Sequence, residues 1–350
     1  MFGLFTRKKQ KPIYTQIDPT NIEKDLKDFS LSLDMKLDDK KCLTISDVID
    51  KYIQVEDNFP RVDWQGITDV LEEETQNSDL NISEFWSMLV KAWLVQMSEY
   101  LDDAHGIYES EHFYILSSAS DNHLNIFVKY LESVQSRIHR ALPGIVQYNE
   151  RGKFVVLLLD NIELYYSYIS HYYPQNGEFS MSSGVFLSGG YGHFVVPHNE
   201  LDHVEAVAAH ELTHAMLAHL PIPLWLNEGL AVNMESSITG YSSYQLNSQK
   251  HNKHLGHWNE QTIQDFWSGE SFQRAGDAVE LSYHLAQLIV QSLAENYEVL
   301  QRFVNQADFI DGGESAAIEV FGGSLGAIIE QIYGDGEWSP KPYLWSEASS

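Results

Sequence analysis

In the stretch A-A-H-E-L-T-H-A-M, which spans 208–216, His210, Glu211 and His214 have the residue types and the spacing to hold a metal ion and use it. Side chains four apart on an α-helix differ in direction by about 40°, so both imidazoles can face one ion from the same side. Glu211 falls between them, about 100° from His210 and about 60° from His214, where it reaches a water on that ion rather than the ion itself. The surrounding D-H-V-E-A-V-A-A-H-E-L-T-H-A-M-L-A-H-L has neither Gly nor Pro, and helix is expected throughout. A catalytic zinc takes three protein ligands and keeps a fourth position open. The chemistry implied is therefore metal-assisted hydrolysis with Glu211 as general base.

A third ligand has to come from outside that helix. His219 lies on the face opposite His210 and cannot join the same ion. A third histidine of the metzincin kind would require Gly at 217 and His at 220, where Leu217 and Leu220 stand. After the helix-breaking P-I-P at 221–223, the segment L-W-L-N-E-G-L-A opens a new helix that is expected to pack back on the first. Its carboxylate, Glu228, is the candidate for the third position.

H-E-L-T-H followed by W-L-N-E-G resembles the gluzincin metallopeptidases, whose pattern is two His from HExxH and a Glu on the next helix. The short spacing looks most like the bacterial peptidase MA-like group. The similarity runs from roughly Glu109 to Tyr333 and takes in E-L-S-Y-H-L-A-Q-L-I-V-Q-S-L and the terminal pair G-E-S-A-A-I-E-V-F-G-G-S-L-G-A-I-I-E. It implies one catalytic Zn2+ held by His210, His214 and Glu228, with Glu211 as base and a peptide or protein as substrate. It also implies an oxyanion donor at the start of a later helix, Tyr283, with His284 as the alternate. The strand 192–196 would be the sheet edge along which a peptide lies as an added strand. The sequence departs from the family in two places. G-G-Y-G-H stands where the aminopeptidases carry G-x-M-E-N, so exopeptidase specificity does not carry over. Val232 stands where the thermolysin-like branch has a supporting acid, which leaves Glu235 and Asp202 as candidates. The same metal chemistry would serve a zinc hydrolase of a non-peptide substrate, and a gluzincin-like domain can also be a non-catalytic interaction platform. The intact Glu211 favours catalysis.

The elements that must position these residues are mostly helical. Over 13–104, capping residues and apolar spacings of three and four predict helices, and Trp86, Leu89, Trp93 and Met97 share one face as a core stripe. This N-terminal region carries no recognisable chemistry and is read as a surface for a protein partner. From 105 the texture changes to strand E-H-F-Y-I-L-S-S, an amphipathic helix ending at Pro143-Gly144, buried strand K-F-V-V-L-L-L-D, a Tyr-rich helix over 162–173 and a short strand ending at Pro197. After the metal-binding helix pair the chain reads as helical to Tyr333, apart from a polar connection over 236–260 in which His251, His254 and His257 are solvated. The expected fold is α+β and mainly helical, with a small mixed sheet followed by the metal-binding helices and C-terminal helices. The expected organisation is a disordered basic tip (1–12), the helical N-terminal region (13–104), a gluzincin-like domain (105–335) and a tail (336–350).

With 350 residues, 43% of them hydrophobic, the chain can bury a sizeable core. Fifty acidic against 22 basic residues give a net charge of −28, which argues against a nucleic acid as partner. Cys42 stands alone and can form neither an internal disulfide nor a multi-thiolate site. No apolar run reaches the length of a transmembrane helix, and M-F-G-L-F-T-R-K-K-Q-K lacks the order of an export signal, so a cytoplasmic setting is expected.

Overall fold

The computed structural model describes residues 12–34, 45–56, 59–75, 82–101, 105–149, 151–159, 162–172, 184–197, 204–241, 248–274 and 276–345. Most of the basic tip, Cys42 and Asp202 lie outside these residues. The chain divides into two compact units, Met1–Ser133 with Tyr148–Val204, and Val134–Gln147 with Glu205–Ser350.

The first unit begins with β1 (Thr15–Ile17), α1 (Pro19–Asp34) and α2 (Ile45–Tyr52), and then a hairpin of β2 (Ile53–Glu56) and β3 (Phe59–Val62). Helices α3 (Trp64–Thr75) and α4 (Ile82–Leu101) follow, and then β4 (Gly106–Glu109) and β5 (Phe113–Ser117). The unit boundary falls inside α5 (Asp121–Ala141); the first unit resumes with β6 (Phe154–Leu159), α6 (Ile162–Ile169), β7 (Val185–Leu187) and β8 (His193–Pro197). The mixed six-stranded sheet has the order β1-β4-β5-β6-β8-β7, with β5, β6 and β8 parallel and the rest antiparallel. Central β6 is buried along its whole length, as an unbroken F-V-V-L-L-L run requires when both sheet faces are covered.

One face of that sheet, through Tyr114, Leu116, Val155, Leu157 and Val195, shares a core with Trp86, Leu89, Trp93 and Met97 of α4. The apolar stripe of α4 is therefore core, as its spacing indicates. The helices expected as a separate N-terminal region belong to the same compact unit as the sheet, and the units divide at 133 and 204 rather than at 104. The hairpin β2–β3 interrupts the helical pattern; its register puts Pro60 opposite Val55, and the Pro60 carbonyl accepts a hydrogen bond from Trp93 Nε1 at 3.1 Å. Strand β8 is not the sheet edge expected of 192–196. It lies between β6 and β7, paired on both sides over His193–Val195, and among the described residues the three-residue β7 carries the edge beside it. V-F-L is too short to display the alternation that marks a strand.

The second unit contains α7 (Val204–Leu217), apart from Val204 itself, and α8 (Leu224–Thr239), α9 (Ser248–His257), α10 (Thr262–Trp267), α11 (Asp277–Ala294), α12 (Tyr297–Val304), α13 (Glu314–Phe321) and α14 (Leu325–Tyr333). α7 ends at Leu217, and α8 starts directly after P-I-P at 221–223. The fully buried Trp225 anchors that start by donating from Nε1 to Gly312 O at 3.0 Å. Gly229 lets α8 approach α11 closely: a Cβ there would stand 2.6 Å from the Ala286 carbonyl oxygen and 2.7 Å from Val290 Cγ2.

Two expectations are corrected in this unit. The polar connection over 236–260 contains α9, and His254 is fully buried rather than solvated. The tail is docked as far as Trp345. Gln264 donates to Ser339 O at 2.9 Å and accepts from Lys341 N at 2.7 Å, and Trp267 Nε1 donates to Trp338 O at 2.8 Å. Its polar, Gly- and Ser-containing sequence conceals this because the tail is held by hydrogen bonds to its backbone and to a few isolated side chains rather than by a periodic apolar face. Among the described residues no helix is long and apolar enough to cross a membrane. Because Gln264 makes three hydrogen bonds to the tail, the third from Trp345 Nε1 at 3.2 Å, Gln264→Ala leaves a shielded carbonyl unpaired. The expected cost is about 1–3 kcal/mol by denaturant unfolding, with faster chymotryptic cleavage at Trp338 and Trp345; unchanged cleavage would mean that the tail is held by other contacts.

Candidate metal centre

Helix α7 presents His210 and His214 one turn apart on one face, their ring centroids 4.7 Å from each other. Helix α8 supplies Glu228 four residues after its start. One ligand atom from each of the three residues lies within 4.8 Å of the others. Glu228 Oε2 stands 3.2 Å from His210 Nε2 and 3.4 Å from His214 Nε2. Ligands held about 2.0–2.1 Å from one zinc in tetrahedral geometry are about 3.3–3.4 Å apart, so these separations are edges of such a tetrahedron. Oε2 is shielded from solvent, and its nearest polar neighbours are the two imidazole nitrogens, neither at good hydrogen-bond geometry. The donor set of two imidazoles and one carboxylate suits Zn2+, and the residues fit the ion that the sequence implies.

The other nitrogen of each ring is also engaged. His214 Nδ1 donates to Asn227 Oδ1 at 2.8 Å, and His210 Nδ1 lies 3.3 Å from Glu235 Oε2. A proton held at Nδ1 leaves Nε2 as the coordinating atom and fixes the ring plane. Glu235 thus occupies the supporting position that Val232 could not fill, two turns along α8 from Glu228. Asn227, adjacent to Glu228 in W-L-N-E-G, went unassigned in the sequence. Its signal was position alone, since a residue one step from a ligand on the same helical turn is near enough to reach another ligand's ring.

Burial works against charge on all three central groups, and their mutual contacts overcome it. Burial would push His210 down, but Glu228 and then Glu235 hold it at about 10. His214 is likewise raised against burial, chiefly by Glu228. Burial would push Glu228 up, yet His214 and His210 hold it well below the ordinary carboxylate range. Glu211 is half-buried, and its charge acts on both imidazoles.

Tyr283, on α11, is half-buried with its ring 6.3 Å from that of His210. His284 does not share this position. It is fully buried, with Nδ1 at 2.7 Å from His254 Nε2, so the alternate donor role is corrected: one residue further on, α11 has turned by about 100°. A second convergence, Glu111, His112 and Glu132 in the first unit, is of another kind. There Glu132 accepts from His112 N at 3.0 Å and pairs with His112 Nδ1 at 2.7 Å, which engages both carboxylate oxygens and fastens the β4–β5 turn to α5.

In comparison with known proteins, the chain matches no family model and no curated protein.

Asn227→Ala and Glu235→Ala are each expected to lower zinc affinity about 10–100-fold in chelator competition; equal affinity would remove their orienting role. Zinc must displace the proton that His210 keeps up to about pH 10. Its apparent affinity should therefore rise at least about tenfold per pH unit between about pH 7 and pH 9, more where His214 also gives up a proton, with proton release visible by calorimetry in buffers of different ionisation enthalpy. In the metal-free protein, raised His210 contributes stability that is complete below its unfolded value of 6.5 and lost as pH climbs through about 10. Lowered Glu228 contributes stability that is complete above 4.5 and lost in acid. A thermal midpoint that rises between pH 7 and 10 without metal would contradict this.

Proposed function

We propose that the chain is a zinc-dependent metallopeptidase of the gluzincin kind, hydrolysing peptide bonds in a peptide or protein. The observation that supports this reading most is the convergence of His210, His214 and Glu228, with the Glu228 carboxylate at tetrahedral separations from both Nε2 atoms and with Glu235 and Asn227 fixing the rings from behind. When bound, the zinc ion supplies a Lewis acid that polarises the substrate carbonyl and activates a water.

The chain's own residues handle the protons. Glu211 accepts the proton of the attacking water on its carboxylate and passes it to the leaving amine, so one group serves as base and then as acid. The Tyr283 phenol keeps its proton and donates a hydrogen bond to the oxygen on which negative charge develops. What supports this role is the position of its ring, 6.3 Å from that of His210 between centroids. The full coordinating and proton-transfer set favours a hydrolase over an idle platform, because a scaffold has no use for Glu211.

The deciding experiment pairs metal analysis with cleavage of a peptide library. Wild type is expected to hold one zinc per chain and to cleave. Glu211→Gln should keep the zinc and lose about 10²–10⁴-fold in cleavage rate, and Glu228→Ala should lose the zinc. Cleavage that survives Glu211→Gln at wild-type rate, or zinc without cleavage in the wild type, overturns the peptidase reading.

A further inference from the structure

Away from the metal centre, the second unit buries a second pair of histidines, His254 of α9 and His284 of α11, both closed to solvent. Their proton positions follow from their partners. An indole N–H can only donate, and Trp258 Nε1 donates to His254 Nδ1 at 2.8 Å. His254 Nδ1 is therefore an acceptor, and the Tyr333 hydroxyl at 2.8 Å donates to the same atom. Burial lowers His254 to about 3 and His284 to about 4, so each ring carries a single proton at neutral pH. That of His254 sits on Nε2 and is donated to His284 Nδ1 at 2.7 Å. His284 is in turn protonated on Nε2. One donor-only indole thus sets the tautomers of both rings.

Tyr283 lies between two such tethers. On one flank Ser282 donates to Ala278 O at 2.8 Å, so the 2.6 Å contact between its Oγ and Ser271 Oγ has Ser271 as donor. On the other flank stands the bond from His254 to His284. Side chains 282, 283 and 284 leave the helix at successive steps of about 100°. Anchoring the outer two fixes the rotation of α11 and with it the direction in which Tyr283 points. Along the same helix, the approach allowed by Gly229 fixes the separation of α11 from the ligand-bearing α8.

We propose that His254 and His284 are positioning residues, a tautomer-locked pair that sets the rotation of α11 and holds Tyr283 beside His210. The proposal rests on the peptidase reading for what Tyr283 does there, but the position of Tyr283 can be read without any substrate.

The test uses the full chain carrying 3-fluorotyrosine, with Tyr283→Phe to identify the Tyr283 resonance and cobalt(II) as the metal probe. Asn in place of His284 keeps an acceptor oxygen near the place of Nδ1, whereas Gln moves its amide outward to the place of Nε2. His284→Asn is expected to leave the Tyr283 fluorine shift as in wild type, with and without cobalt, and His284→Gln to displace it while cobalt stoichiometry stays the same. In peptide cleavage His284→Gln should lower kcat by up to about 100-fold with KM little changed, and His284→Asn should restore it. A Tyr283 shift that is the same in His284→Gln as in wild type overturns the proposal. Long-range nitrogen–proton spectra of histidine-labelled wild type need no variant to fold: both Nδ1 atoms should appear as acceptors, and a proton on either overturns the proposal. Failure to bind cobalt removes the peptidase reading instead, and the metal-free fluorine shift, which senses the ring current of His210, still decides whether the pair positions Tyr283.

Discussion

A single buried carboxylate sets the terms for the second unit. Glu228 is withdrawn from water in a chain that already carries a net charge of −28, and an uncompensated anion there would cost several kcal/mol. Two imidazoles supply the compensation, and their placement has to be accurate because attraction in a desolvated setting falls off with every ångström of misfit. The one-turn spacing on α7, the immediate restart at α8 after P-I-P, and the outer anchors on each ring all serve that placement. With Glu235 and Glu211 the surroundings hold more negative than positive charge, and such an excess suits a divalent cation better than a pair of protons.

The same side chain behaves in opposite ways a short distance along the fold. His210, between two carboxylates, is raised to about 10, whereas His254, among rings and an indole, is lowered to about 3. His193 in β8 follows His254: burial lowers it to about 4, with the Tyr168 hydroxyl at 2.9 Å from its Nε2 and the Tyr191 carbonyl at 3.2 Å from its Nδ1. Neighbours, not residue type, decide whether a buried imidazole is a charged partner or a neutral joint.

Much of the centre could be read from spacing, because helical periodicity converts sequence distance into direction. His210, Glu211 and His214 needed only that conversion, whereas Glu228 was singled out by its place after W-L-N, through the resemblance. The mainly helical character and the parallel strands β5, β6 and β8 were legible for a related reason: long periodic runs and unbroken apolar runs are strong signals. What stayed hidden depended on tertiary contact. Asn227 shows its role only once α7 and α8 lie side by side, and His254 reads as solvated until α9, α11 and α14 close around it. The hairpin β2–β3 and strand β7 are too short to carry a period. The tail at 336–345 is held by bonds to its backbone and by isolated side chains such as Ser339 and Trp345, which form no periodic pattern that could announce it.

Where α8 meets α11, the backbone at Gly229 lies directly against the Ala286 carbonyl and the Val290 side chain, with no room for a Cβ. Most helix pairs adapt to drift by swapping large residues for small ones across the seam. A joint keyed at the backbone has no such slack. The separation of α8, which carries Glu228, from α11, which carries Tyr283, is therefore set at this one position.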